Sequence, residues 1–275
     1  MEWTKIHIQV DPAGREAVSH ILIEAGSPGV EVTPTGVIGY FPAGRDCLEI
    51  EEGLRIVEDW AGPISCQKER VTEEDWAHGW KKYYKPLPVG ERLLICPSWE
   101  EADAGRQVVY LDPGMAFGTG DHPTTFACLL ELDRLVNPGM VVYDVGCGSG
   151  ILALAAARLG AARVFAVDND PLAVDVCRRN IALNGLEDVV TVAHGSIEEL
   201  PADPADIILM NILPHVIIEL APAVKEQLKE GGSLITAGIN VVKGDKTKAA
   251  LQGAGFQILR EQTIGEWVSF TLGRC

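Results

Sequence analysis

Six residues in the middle of the chain have types and spacing suited to chemistry: Asp144, Gly146, Gly148, Gly150, Asp168 and Asn211. Three glycines at every second position make a turn with no Cβ between its backbone and an occupant, and glycine tolerates positive φ there. Dinucleotide folds use G-x-G-x-x-G and seat a pyrophosphate on the helix N-terminus that follows. Here the spacing is G-x-G-x-G, and the acid just ahead of it, Asp144, would repel a pyrophosphate. The same acid suits a ligand carrying positive charge. Asp168 ends the run Arg163-Val-Phe-Ala-Val-Asp168, and a carboxylate at such a strand end accepts both hydroxyls of a ribose. A nucleoside with an ammonium and a sulfonium, S-adenosyl-L-methionine, therefore fits better than NAD. A plain glycine-lined βα bend would explain the glycines alone; the two acids weigh against it. Asn211 ends Asp206-Ile-Ile-Leu-Met-Asn211. Its amide can accept from an amine and orient the nitrogen lone pair, or it can simply cap a turn.

These residues need a scaffold that brings strand ends together. Val141 to Val145 is an apolar strand, the glycines form the turn, and Ile151 to Leu159 is an apolar-periodic helix. Further strands are expected at Arg163–Asp168, Val189–Ala193, Asp206–Asn211 and Ser233–Ala237, with helices near 171–184, 217–228 and 243–254. The fully apolar Asp206–Asn211 run belongs at the centre of the sheet. Phe256–Thr263 and Trp267–Leu272 read as a closing hairpin around Gly265-Glu266. A doubly wound sheet ending in a hairpin suits the seven-stranded, Rossmann-like methyltransferase arrangement rather than the dinucleotide-binding one. Ligands of open α/β sheets bind beyond the carboxyl ends of strands, where Gly146, Asp168 and Asn211 all fall. Ser196 and Ile197 fall where an adenine would be flanked.

Ahead of these strands, Asp112 to Thr125 packs three glycines and two prolines into fourteen residues, with Pro123 opening a helix to about Val136. Two readings stand for this loop: a cover over the cofactor, with Phe117 as apolar lid and the Thr125 hydroxyl as polar contact, or a structural cap. His122 in it reads as a structural donor rather than a general base. Two strands, Arg92–Cys96 and Gln107–Leu111, precede the loop in a domain set at 89–275. Residues 1–71 follow the order βαββαβ, an α+β sandwich of ferredoxin-like layout. It has no phosphate loop and no catalytic cluster, and is read as a recognition module. Residues 72–88 are expected to be a linker helix, with Thr72 as N-cap and Trp76 and Trp80 on one face.

Composition narrows the classes. With 275 residues and a formal net charge of −16, the surface is unsuited to gripping nucleic-acid phosphates. A basic protein partner is compatible with it, and acidity that simply aids solubility explains the charge equally well. No apolar run reaches membrane-helix length, and Met1-Glu-Trp-Thr-Lys5 is not a signal peptide. Seven scattered cysteines without a C-x-x-C pair argue against a disulfide framework or zinc site and for a reduced, cytoplasmic setting.

Three segments together carry a resemblance: D-P-G-M-A-F-G-T-G-D-H-P-T-T at 112–125, D-V-G-C-G-S-G-I-L at 144–152 and N-I-L at 211–213. With W-K-K-Y-Y-K-P at 80–86 and P-S-W at 97–99, the chain resembles the bacterial ribosomal protein L11 methyltransferases over nearly its whole length. The 112–125 loop is the specific signal, since the other two motifs are shared with many methyltransferases. The resemblance implies an N-terminal domain that grips the ribosomal protein and a flexible linker that lets the catalytic domain reach several amines. Those amines are lysine ε-amines and the N-terminal α-amine. It implies cofactor contacts at Thr125, Gly146, Asp168 and Asn211. The chain departs from the family at Asp121 and Pro214, neither an expected contact. Methyl transfer to another protein or a small amine, a binding protein with a vestigial cofactor fold, and an NAD dehydrogenase are the competing readings. Intact glycines with Asp168 and Asn211 speak against the vestigial fold, and the turn spacing against the dehydrogenase.

Overall fold

The computed structural model describes residues 2–27, 30–42, 48–72, 85–102, 105–111 and 122–274. The chain divides into two compact units, 1–84 and 85–275. In the first, β1 (Glu2–Gln9), α1 (Arg15–Glu24), β2 (Val30–Thr33), β3 (Gly36–Pro42), α2 (Leu48–Ala61) and β4 (Ser65–Thr72) build one antiparallel sheet of order β2-β3-β1-β4. The alternation of β1 turns Ile6 and Ile8 to the helices, where they pack with Val18, Leu22, Ile50 and Val57. Asp11 starts the α1 segment by accepting from the Ala13 amide at 3.2 Å. Thr72 is the last residue of β4, paired with Glu2, so the strand runs up to the place where a helix cap was expected. The rest of the expected linker helix, with Trp76 and Trp80, lies outside the described residues.

The second unit opens earlier than Val89. Leu87–Val89 forms a strand, β5, antiparallel to β6 (Leu93–Pro97), which runs parallel to β7 (Gln107–Leu111). Pro88, at the end of the expected linker helix, lies instead in this edge strand, a place where proline is tolerated.

The main sheet follows: α3 (Pro123–Leu135), β8 (Val141–Val145), α4 (Ile151–Arg158), β9 (Arg163–Asp168), α5 (Pro171–Asn184), β10 (Val190–His194), β11 (Ala205–Asn211), α6 (Pro214–Gln227), β12 (Leu228–Asn240), α7 (Val241–Gly253), β13 (Phe256–Ile264) and β14 (Trp267–Arg274). Its seven strands run β10-β9-β8-β11-β12-β14-β13. The β11 strand is the middle one and parallel to both neighbours. Ile207 and Leu209 enter the core cluster that contains Leu152 and Leu129, and Ile208 and Met210 enter the cluster with Ile217 and Leu251. Burial on both faces explains why this run shows no polar alternation. The β14 strand lies antiparallel between β12 and β13, as expected of the hairpin. The β12 strand is longer than Ser233–Ala237: it continues to Asn240 across an irregularity between Thr236 and Ile239, where Gly238 takes φ 81°. Among the described residues no helix is long and apolar enough to cross a membrane.

Candidate active site

The glycine turn joins β8 to α4, and Gly146, Gly148 and Gly150 take φ of 76°, 54° and 81°. L-residues with side chains rarely adopt these angles. The turn's amides are already engaged. Those of Gly146 and Cys147 donate to the Val167 carbonyl at 2.8 and 3.0 Å. That of Gly148 donates to Asp168 Oδ2 at 2.8 Å. Such a turn is not an anion nest, which agrees with the absence of a pyrophosphate fingerprint. Two of the glycines are also demanded by packing. A Cβ on Gly146 would lie 2.2 Å from Ile212 Cγ2, and one on Gly150 would lie 2.5 Å from Cys177 Sγ. Room for a ligand is therefore not the whole reason for them. The buried amide of Asn180 braces the turn from α5 by donating to the Ser149 carbonyl at 2.9 Å.

Asp144 does two things. The N-cap of α4 is Gly150, which has no side chain to offer. Asp144 Oδ2 replaces it by accepting from the Ala153 amide at 3.1 Å, so the helix dipole meets a carboxylate supplied by the protein itself. The other oxygen, Oδ1, is buried and has no hydrogen-bond partner among the described residues. Burial pushes the Asp144 carboxyl up to about 7; the Ala153 amide opposes that, and the charge of Asp168 adds to it. An orphaned buried carboxylate oxygen beside the turn is what a cationic or hydroxyl-bearing ligand would satisfy.

Asp168 ends β9 as expected. Its Oδ1 accepts from the Asp170 amide at 3.0 Å, while Oδ2 holds Gly148. The carboxylate is thus fixed in place, with lone pairs left for further donors. Asn211, at the end of β11, donates through Nδ2 to the hydroxyl oxygen of Thr125 at 3.2 Å. Thr125 is buried in the first turn of α3. Two expected site residues, 86 positions apart, therefore meet. With Nδ2 engaged, the acceptor Oδ1 remains for an incoming N–H.

His122 is the N-cap of α3. Its Nδ1 accepts from the Thr124 amide at 3.4 Å and lies 2.8 Å from the Thr124 hydroxyl, and its ring meets Trp267 edge-on at 5.1 Å. This is a structural placement. Ile197 is buried in a core cluster. Phe117 and the rest of 112–121 lie outside the described residues. Cys147, hydrogen-bonded to Cys177 and buried, has its thiol pushed far up, as burial does for Cys128; neither is a nucleophile at neutral pH. Sequence reasoning missed Asn180 and Gly238 and gave Ile212 no role beyond its place in the N-I-L motif. Gly238 left a signal, a glycine inside a strand, which marks a bulge or a close backbone approach.

Parallel strands capped by an antiparallel hairpin, with donors and acceptors gathered at the carboxyl ends of β8, β9 and β11, place the second unit among the α/β domains of methyltransferase type. The model of the family described as ribosomal protein L11 methyltransferase (PrmA) matches residues 33–274, and the chain belongs to that family. It is 41% identical to the ribosomal protein L11 methyltransferase of Pelotomaculum thermopropionicum and 38% identical to that of Desulforamulus reducens, in each case over 98% of both chains. A crystal structure of a ribosomal protein L11 methylase from Lactobacillus delbrueckii subsp. bulgaricus superposes with a TM-score of 0.64. It shares 34% identity and covers 70% of this chain and 99% of that one.

Proposed function

We propose that this protein transfers methyl groups from S-adenosyl-L-methionine to amines of ribosomal protein L11, both lysine ε-amines and the N-terminal α-amine. The observation that carries the proposal is the Asn211–Thr125 hydrogen bond, which holds an amide acceptor at the central strand end beside the glycine turn. The donor set fits the cofactor. Asp168 and the orphaned Oδ1 of Asp144 are acceptors for its hydroxyl and ammonium hydrogens. Gly146 and Gly148 offer a backbone without Cβ atoms, and Thr125, Asn211 and Phe117 complete the contacts. When bound, S-adenosylmethionine supplies an electrophilic methyl on a sulfonium.

The acceptor must arrive as a free amine, whereas a lysine ammonium ordinarily loses its proton near ~10.4. Desolvation on binding at the strand ends favours the neutral form. Asn211 Oδ1 accepts one amine N–H and so turns the nitrogen lone pair toward the methyl, an orientation effect. The proton released leaves to solvent. The first unit, with the βαββαβ order of a ferredoxin-like sandwich, is the recognition module. Its 12 acids against 6 Lys plus Arg over residues 1–70 suit a basic ribosomal protein. The residues between β4 and β5 link it to the catalytic domain, and the protein works in the cytoplasm without binding nucleic acid directly.

Calorimetric titration with S-adenosylmethionine, paired with turnover, tests the division of labour. Asp168→Ala should weaken cofactor binding, because Gly148 and Asp170 lose their anchor as well. Asn211→Ala should lower kcat by on the order of tenfold or more while cofactor affinity changes less. Two variants with unimpaired turnover would refute the site.

A further inference from the structure

We infer that Ile212 is a positioning residue that sets the distance between the cofactor turn and Asn211. Its side chain and its backbone are held by two different strand ends. Its Cγ2 occupies the space where a Cβ on Gly146 would sit, at 2.2 Å. On the opposite side, its own O, C and N lie 2.4, 3.0 and 3.1 Å from where a Cβ on Gly238 would be. Both glycines are left-handed, at φ 76° and 81°, so neither place accepts a side chain without strain. Ile212 also packs on the core cluster that contains Met210 and Ile239.

The consequence is geometric. The pairing of β8 with β11 is recorded only as far as Leu209 opposite Asp144. Beyond that point, the contact of Ile212 with Gly146 ties the β11 strand end to the glycine turn. Gly238, at the irregularity of β12, lets the backbone of Ile212 come close from the other side. Asn211, the residue between Met210 and Ile212, is therefore fixed relative to the turn by its successor, while Thr125 fixes its amide rotation. The arrangement lets the position of Asn211 register on the glycine turn through Ile212.

The inference separates β-branching from size. Ile212→Val removes one methyl and keeps Cγ2. Ile212→Leu keeps volume and hydrophobicity but moves the branch away from Cβ and loses Cγ2. A residue that only fills space tolerates Leu as well as Val, and a positioning residue does not. The kinetic arm rests on the proposed methylation of ribosomal protein L11 and uses the full-length enzyme. The Val variant is expected to keep kcat within about twofold. The Leu variant should lose on the order of tenfold or more in kcat, with KM for the protein and Kd for S-adenosylmethionine within about threefold. Ile212→Met, which also lacks Cγ2 and keeps the volume, serves in place of Leu should that variant not fold.

A second arm needs no substrate. The side-chain amide signals of Asn211 in a 1H–15N spectrum, identified by their loss in Asn211→Ala, should stay in place in the Val variant and move in the Leu variant. Unmoved signals in the Leu variant, equal losses in Val and Leu, or a Leu variant that loses cofactor affinity as much as kcat would overturn the inference. A wild-type enzyme inactive on ribosomal protein L11 but with the expected amide shifts would overturn only the substrate assignment.

Discussion

Asp144→Asn separates what this carboxylate costs the fold from what it contributes to binding. The side chain keeps its shape and its acceptor for the Ala153 amide, but loses the charge. In the folded protein the carboxyl is raised from 3.8 to about 7, chiefly by burial. A raised carboxyl pKa means that the folded state holds a proton the unfolded chain has released. The ionised group therefore destabilises the fold increasingly as pH climbs from about 4, and the loss is complete above about 7. Three pH units at about 1.4 kcal/mol each give roughly 4 kcal/mol as an upper limit.

Urea titrations of wild type and Asp144→Asn without cofactor, at intervals from pH 4.5 to 8.5, read this directly. The stability of wild type minus that of the variant should fall with pH, by up to about 1.4 kcal/mol per unit, and level off above about 7. At pH 8 the Asn variant should be the more stable. Binding should move the other way. A ligand that donates to the orphaned Oδ1 stabilises the ionised form, so wild-type affinity for S-adenosylmethionine should tighten as pH rises from 6 to 7.5. The limit is about tenfold per unit, and Asp144→Asn should bind more weakly with little of this pH dependence. A stability difference that is flat or rises with pH would refute the account of Asp144.

Glu131 is buried and accepts from Arg134 at 2.9 and 3.0 Å and from the Thr271 hydroxyl at 2.9 Å, with Arg260 at 3.3 Å. Because both arginines are about half exposed and can turn to water, Glu131→Ala should cost only about 1–3 kcal/mol in chemical denaturation rather than the full penalty of a stranded buried charge. Gly150→Ala must place a Cβ at φ 81° and 2.5 Å from Cys177 Sγ, and should cost about 2–4 kcal/mol by the same assay. Adding Cys177→Ala should recover the contact part of that loss and leave the backbone part.

The readable parts of the site were those set by local sequence. Asp168 and Asn211 end unmistakable apolar runs, and strand ends are where such a sheet binds ligands, so their placement followed from position alone. Thr125 was reached through the loop it closes, but its bond to Asn211 depends on the packing of α3 against the sheet. The glycines were legible as a turn and only half legible as to cause, because Ile212 and Cys177, which forbid side chains there, come from distant strands and helices. Asp144 was read as a charge for a cationic ligand. Its capping of α4 becomes visible only once Gly150, with nothing to cap with, is seen to begin that helix. Pro88 ends the expected linker helix but lies in a strand, because proline punctuates helices and edge strands alike and only pairing partners tell them apart.

The central claim is methyl transfer at this site to ribosomal protein L11, and intact-mass spectrometry tests it most directly. Unmodified ribosomal protein L11, incubated with this enzyme and S-adenosylmethionine, should gain mass in steps of one methylene. The gains should be absent with Asp168→Ala at the same cofactor concentration. An unchanged mass with the wild-type enzyme, under conditions where calorimetry shows the cofactor bound, would contradict the account.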